Sequence, residues 1–120
     1  MNDKMSLLIV DDNGSLGKTM SFILERKGYS VTTVENGEDA VGLTKEKKFD
    51  MIFLDIKMPD INGVEILKQI LKVRPNTKVM MMTAYAVDDL IQEAINMGAI
   101  GVLYKPFDME RVIEKIENHR

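Results

Sequence analysis

The chain has 120 residues, 45% apolar and 29% charged, enough for one globular core and too few for two, so a single domain over 1–120 is expected. It holds no cysteine and one histidine, His119, which excludes disulfide frameworks, thiolate zinc sites, cysteine nucleophiles and histidine-based triads. Sixteen basic against nineteen acidic residues, a net charge of −3 with no basic block, argue against a surface built to coat nucleic acid or an anionic membrane.

Met1 to Ser6 is polar, no signal-type apolar segment follows it, and no apolar run approaches the roughly 18 residues a bilayer span needs. A cytoplasmic location is expected. Leu7 to Val10 is the first short apolar run, lacking polar alternation, as in a strand covered on both faces of a parallel sheet. Leu16, Met20, Ile23 and Leu24 then recur at helical spacing, and Gly28 stands where a left-handed residue would end that helix. Val31 to Val34 is the second and most polar strand, and hence the expected edge. Ala40, Val41 and Leu43 carry a weaker helical pattern. Met51 to Leu54 and a helix through Val64, Leu67, Ile70 and Leu71 follow. Val79 to Met82 precedes a helix through Val87, Leu90, Ile91, Ala94 and Ile95, closed by Gly98. The last pair is Gly101 to Tyr104 and a helix through Met109, Val112, Ile113 and Ile116, with Asp108 as its expected N-cap. Strand and helix alternating at this density predict an α/β fold: a three-layer, doubly wound, five-stranded parallel sheet with right-handed crossovers. Unit lengths drift and share pattern rather than sequence, so this is no solenoid. Most of the ten methionines sit at apolar spacing and are expected to fill the core.

Ligands of such sheets bind beyond the carboxyl ends of the strands. The residues there are Asp11 and Asp12, Asp55, Thr83, and Lys105 followed by Pro106. Each has an ordinary alternative: the aspartates as helix or turn caps, Thr83 as a cap of the next helix, Lys105 as a solvated side chain. Gathered on one edge they are different, because carboxylates repel by roughly 4 kcal/mol per pair at 4 Å and an effective dielectric near 20. Lys105 offsets part of that charge. A hard divalent cation bound through oxygen offsets the rest, which suits Mg²⁺, with Mn²⁺ as the other candidate. Such a site is equipped for phosphoryl transfer, where the protein positions groups and neutralises charge. Asp55, leaving a wholly apolar strand, is the expected nucleophile and would become an aspartyl phosphate. Asp11 and Asp12 suit the metal, while Thr83 and Lys105 would each take a phosphoryl oxygen.

The blocks LLIVDDN, MIFLDIKMPDINGVEIL, VMMMTAY and GVLYKPFD, in this order and spacing, resemble the receiver domain of two-component response regulators, from about Leu7 to the last helix. The resemblance implies a flavodoxin-like (βα)5 fold with strand order 2-1-3-4-5. It implies a sensor histidine kinase or histidine phosphotransfer protein as phosphoryl donor, and Mg²⁺-dependent transfer to Asp55 that the receiver itself catalyses. The chain would then be a signalling switch rather than an enzyme with a separate substrate. Position by position, the metal set falls on Asp11, Asp12, Asp55 and the backbone carbonyl of Lys57, the switch hydroxyl on Thr83 and the lysine on Lys105. The bond before Pro106 would be cis. A downstream effector or output domain would use the face of helix 4, strand 5 and helix 5, with Asp88, Gln92, Glu93, Arg111, Glu114 and Lys115 exposed. The chain ends soon after the fifth helix, leaving no room for a DNA-binding output domain, so a stand-alone receiver and a part of a longer regulator both stay open.

One position departs from the pattern. The aromatic switch residue that receivers often carry three places before the lysine is Val102 here. Tyr104 shares its face by strand alternation, so it is a candidate substitute for that switch, with plain packing the favoured expectation. Lys57 and Tyr85 match positions that tune phosphoryl lifetime in the family. Two rival readings exist. Asp12 to Thr19 matches a Walker A loop at Gly17, Lys18 and Thr19, and Met51 to Asp55 resembles a Walker B strand, which would suggest a P-loop nucleotide hydrolase. Asp11 and Asp12 at its mouth would repel the polyphosphate. A receiver-like module that binds partners without phosphorylation is the other, and the intact acid set argues against it.

Overall fold

In a computed structural model, which describes residues 4–84 and 88–120, strands and helices alternate along the chain. They are β1 (Ser6–Val10), α1 (Gly14–Arg26), β2 (Ser30–Val34), α2 (Gly37–Glu46), β3 (Met51–Asp55), α3 (Gly63–Val73), β4 (Lys78–Thr83), α4 (Asp88–Met97), β5 (Gly101–Tyr104) and α5 (Met109–Asn118). The five strands pair in parallel in one sheet of order β2-β1-β3-β4-β5, as the resemblance implied.

The unbroken apolar runs follow from burial on both faces. Leu8, Val10, Ile52, Leu54, Val79 and Met81 point into a core closed by α2, α3 and α4, through residues such as Ala40, Leu67 and Ala94. Their strand neighbours Leu7, Ile9, Met51, Phe53, Met80 and Met82 point the other way, against Met20 and Leu24 of α1 and Val112 and Ile116 of α5. β2, the polar strand, is an edge with Ser30 and Thr33 exposed. Gly28 and Gly98 adopt φ of +100° and +125° at the helix ends, a region open to residues without a Cβ. Asp108 caps α5 by accepting the Arg111 N–H at 3.0 Å.

β1, β2 and β4 start one residue earlier than the sequence pattern, at Ser6, Ser30 and Lys78, and two strand ends also move. β3 and β4 each run one residue further, taking in Asp55 and Thr83, because the ladder continues past the apolar run: Asp55 pairs with Met82 and Thr83 with Tyr104. Both polar residues are therefore fixed by strand backbone rather than by loop. Beyond Asp55 the chain is pinned again, since the Ile56 N–H bonds Met82 O at 2.9 Å and the Gly63 N–H bonds Ile56 O at 2.6 Å. A Cβ on residue 63 would lie 2.3 Å from Asp55 O, so only glycine lets α3 start this close to the strand end.

Candidate functional site

Asp11 is the first residue past β1, and its N–H still bonds Val34 O at 3.1 Å. Its carboxylate is fully enclosed. Oδ1 accepts the Asn13 N–H at 2.8 Å and Oδ2 accepts Lys105 Nζ at 2.6 Å. Asn13, not either aspartate, caps α1, with its side chain accepting the Leu16 N–H at 3.2 Å. That relieves Asp11 and Asp12 of the structural role their position allowed. Asp55 Oδ1 accepts the Lys57 N–H at 3.1 Å, so Asp55 does cap a turn, and its Oδ2 meets Lys105 Nζ at 3.1 Å.

Lys105 reaches this point from the far edge of the sheet, its N–H anchored on Thr83 O at 2.8 Å and its peptide bond to Pro106 cis. One ammonium thus bridges carboxylates 94 and 50 residues away in sequence. Burial works against the charge on Lys105, but its hydrogen bonds to Asp11 and Asp55 prevail and hold its pKa above the ordinary lysine value. For Asp55 burial dominates and pushes the pKa up. The Lys105 hydrogen bond pulls it back, the Asp11 charge adds to the rise, and the Lys57 N–H opposes it, leaving it raised. Two enclosed carboxylates thus share a single ammonium.

Asp12 completes the set from the exposed rim: Asp11, Asp12 and Asp55 each offer an oxygen within 4.8 Å of the others. Opposite ligands on Mg²⁺ with bonds of about 2.1 Å stand about 4.2 Å apart, so small side-chain movements bring these oxygens to one ion. The donor set is all oxygen, two carboxylates are enclosed, and the third faces solvent, which leaves room for water ligands. These residues fit a hard dication. A cavity of about 410 Å³ opens beside them, bordered by Asp12, Lys57 and Leu90. A second cavity, of about 880 Å³, lies between α2 and Asp60, away from Asp11, Asp12 and Asp55.

Thr83 is buried at the end of β4, one residue past the partner of Asp55, so it stands on the adjacent strand at the same edge. Val102 is half-buried against the core of α2, α3 and α4. Tyr104 corrects the expectation of a packing side chain: it is 55% exposed, because it ends the outer strand β5. Gln92, Glu93, Arg111 and Glu114 are exposed as expected, whereas Lys115 is half-buried, lying one helical turn from the buried Val112. Tyr85, Val87 and the side chain of Asp88 lie outside the described residues, as does any capping of the next helix near Val87. The P-loop reading fails on geometry. Only Asp11, Asp12 and Asn13 separate β1 from α1, Gly14 to Thr19 are already helical, and Lys18 is exposed, so no loop wraps a polyphosphate. Sequence reasoning missed Asp60 and the asparagine caps. Asn13, Asn36 and Asn62 each stand directly before a helix, which was the available signal for the caps.

A family model of the response regulator receiver domain matches residues 7–117. Sporulation initiation phosphotransferase F of Bacillus subtilis is 33% identical over 119 residues, covering 99% of this chain and 94% of its own. Chemotaxis protein CheY of Thermotoga maritima is 37% identical over 111 residues, 92% of each chain. A solved response regulator from Burkholderia pseudomallei, with a phosphorylated aspartic acid, calcium ion and citrate, superposes with a TM-score of 0.87 at 28% identity, covering 95% of this chain and 66% of that one. Agreement of the family model over nearly the whole chain with relatives matched almost end to end leaves one reading of its ancestry: it belongs to the response regulator receiver family of two-component signalling.

Proposed function

We propose that this receiver accepts a phosphoryl group on Asp55 from the phosphohistidine of a sensor histidine kinase or histidine phosphotransfer protein, in a Mg²⁺-dependent reaction, and works as a switch. The observation that carries this is the convergence of Lys105 on Asp11 and Asp55, at 2.6 and 3.1 Å, beside an exposed third carboxylate. Asp55 is held from both sides, Oδ1 by the Lys57 N–H and Oδ2 by Lys105, so the carboxylate is oriented before a donor arrives. A carboxylate oxygen attacks phosphorus, the P–O bond to Asp55 forms as the P–N bond breaks, and the electron pair returns to the donor imidazole nitrogen. Lys105 follows the new phosphoryl oxygens, and the Thr83 hydroxyl donates to another. Asp11, Asp12, Asp55 and the Lys57 carbonyl would hold Mg²⁺, whose charge screens the acids from the incoming anion.

Drawing Lys105 and Thr83 toward the phosphoryl group moves the ends of β4 and β5 and with them the face of α4, β5 and α5, where an effector or output domain would dock. With Val102 at the usual aromatic position, that coupling runs without an aromatic there. We assign residues 1–120 to one receiver domain and place the reaction in the cytoplasm, where the nucleotide that charges a kinase histidine is made. Among the described residues no helix is long and apolar enough to cross a membrane.

Intact-mass measurement after incubation with a small acyl phosphate, with and without Mg²⁺, tests the reading. One metal-dependent phosphoryl adduct is expected, absent in Asp55→Asn. An adduct that survives that substitution would overturn the assignment of Asp55.

A further inference from the structure

Helix α2 starts with two caps, and only one comes from its own sequence neighbours. Asn36 accepts the Asp39 N–H at 2.8 Å in the usual way. The other is Asp60, 23 residues further on, in the loop between β3 and α3. Both of its oxygens lie 3.1 Å from the Gly37 N–H, and Oδ2 also accepts the Glu38 N–H at 3.1 Å. Those N–H groups have no partner within the helix, and the helix end favours a negative charge. Accordingly the Gly37 N–H, more than any other group, holds the Asp60 carboxyl below its ordinary value, although the side chain is exposed. Apolar contact seals the same junction: a Cβ on residue 37 would lie 2.5 Å from Ile66 Cδ1 and 3.0 Å from Ile61 Cγ1.

The loop that Asp60 fastens begins at the phosphoacceptor. Its base is closed by the Gly63 N–H to Ile56 O bond, and its first turn lies on Asp55 through the Lys57 N–H. Between those anchors, Asp60 is the point where the loop is tied by polar bonds to another element. Without it the loop keeps its base and the apolar contacts of Met58 and Ile61, but loses its polar tie to the first turn of α2. The loop backbone at Lys57 is what the proposed cation site uses beside the carboxylates.

We infer that Asp60 is a positioning residue for the site: by clamping the β3–α3 loop onto the first turn of α2, it holds the Lys57 backbone against Asp55 and makes the start of α2 sense what the site binds. This rests on the proposed function, since it concerns the same cation. It assigns α2, which contributes no ligand, a fixed mechanical link to the acceptor through one carboxylate.

The test compares the full chain with Asp60→Ala, Asp60→Asn and Asn36→Ala, the last removing the helix's own cap and leaving the clamp. Calorimetric titration with Mg²⁺ and thermal unfolding are measured on each, and the Gly37 and Glu38 amide resonances are followed during titration. Asp60→Ala is expected to weaken Mg²⁺ about tenfold, the lower end of what loss of an outer-shell partner costs. Asp60→Asn, which keeps a carbonyl acceptor and loses the charge, should fall between. Asn36→Ala should lower the unfolding midpoint without changing Mg²⁺ affinity, and the two amides should shift on Mg²⁺ addition in the wild type and not in Asp60→Ala. Unchanged affinity in Asp60→Ala overturns the inference, as does an equal loss in Asn36→Ala, which would reduce the effect to helix stability. If Asp60→Ala unfolds, wild-type affinity in Asp60→Asn overturns it. A wild-type chain that takes up no Mg²⁺ removes the proposed function itself, and the inference with it.

Discussion

The two edges of the sheet use the same kinds of residue to opposite ends. At the carboxyl edge Asp11 and Asp55 are enclosed together with a single ammonium, and burial beside another carboxylate leaves the Asp55 pKa raised. At the amino edge Asp50 and Glu117 meet donors. Ser6 and Asp50 exchange bonds, the Ser6 N–H to Asp50 Oδ2 at 2.6 Å and the Asp50 N–H to Ser6 O at 2.7 Å. Glu117 accepts from the Tyr29 hydroxyl and pairs with Arg120 at 3.0 Å, and those bonds hold its pKa below the ordinary value. Lys78 donates to the His119 carbonyl. One edge is neutralised and ties α5 to the sheet. The other leaves two enclosed carboxylates to share one ammonium, which suits the cation proposed for it.

The comparison breaks most sharply at Lys105. Lys105→Met keeps the apolar stem and removes the charge, leaving two enclosed carboxylates facing each other. A loss of about 3 kcal/mol is expected, the lower end for an ion pair broken by removing one partner. Urea unfolding without metal reads it, and a variant as stable as the wild type would mean that the acids are better solvated than their burial implies. The converse substitution sharpens the same point with a smaller effect and the other sign. Asp11→Asn removes the repulsion with Asp55 and keeps one carbonyl oxygen to accept from the Asn13 N–H, while Lys105 retains Asp55. A gain of about 1 kcal/mol is expected, part of the roughly 4 kcal/mol a carboxylate pair costs at 4 Å once Lys105 is discounted. The same variant should lose Mg²⁺ binding and the phosphoryl adduct. Stability that falls instead would show that Asp11 is there to hold Lys105 rather than to hold a metal.

Why the site was legible and its fastenings were not has a physical basis. Strands covered on both faces announce themselves locally, in four consecutive apolar residues such as Leu7 to Val10. Once five such strands are parallel, their last residues must share an edge, so Asp11, Asp55 and Lys105 could be brought together across 94 residues of sequence without any knowledge of contacts. Glycines at Gly28 and Gly98 were readable for the same local reason. Asp60 was not, because nothing within its own segment says that a helix N-terminus from 23 residues earlier lies above it. Tyr104 was misjudged on a similar ground: alternation gives the face of a side chain, whereas its exposure depends on which strand lies beyond, and β5 has none. Lys115 differs only by a shift around the helix, from the open face of Glu114 toward Val112.

The smallest effect lies at the neutralised edge and is read by pH. Tyr29 is buried, and burial together with its bond to Glu117 raises the pKa of its hydroxyl above 10.0, while the Tyr29 bond lowers Glu117 below 4.5. A group whose folded pKa is raised contributes stability below its unfolded value and loses it as pH climbs through the folded one. A carboxylate whose folded pKa is depressed contributes above its unfolded value and loses it as pH falls through the folded one. The bond should therefore stabilise the chain evenly from about pH 5 to about pH 9 and fade outside that window on both sides. Tyr29→Phe should lower the urea midpoint slightly across the plateau, and the difference from wild type should shrink toward both extremes. Because Glu117 and Arg120 face solvent, added salt should reduce the Arg120 contribution while leaving the Tyr29 difference nearly intact. A difference that persists at pH 12 would assign the loss to packing of the ring edge instead of to the hydroxyl, and the amino edge would then be held by its apolar contacts, Val112 and Ile116 against the sheet, more than by its donors.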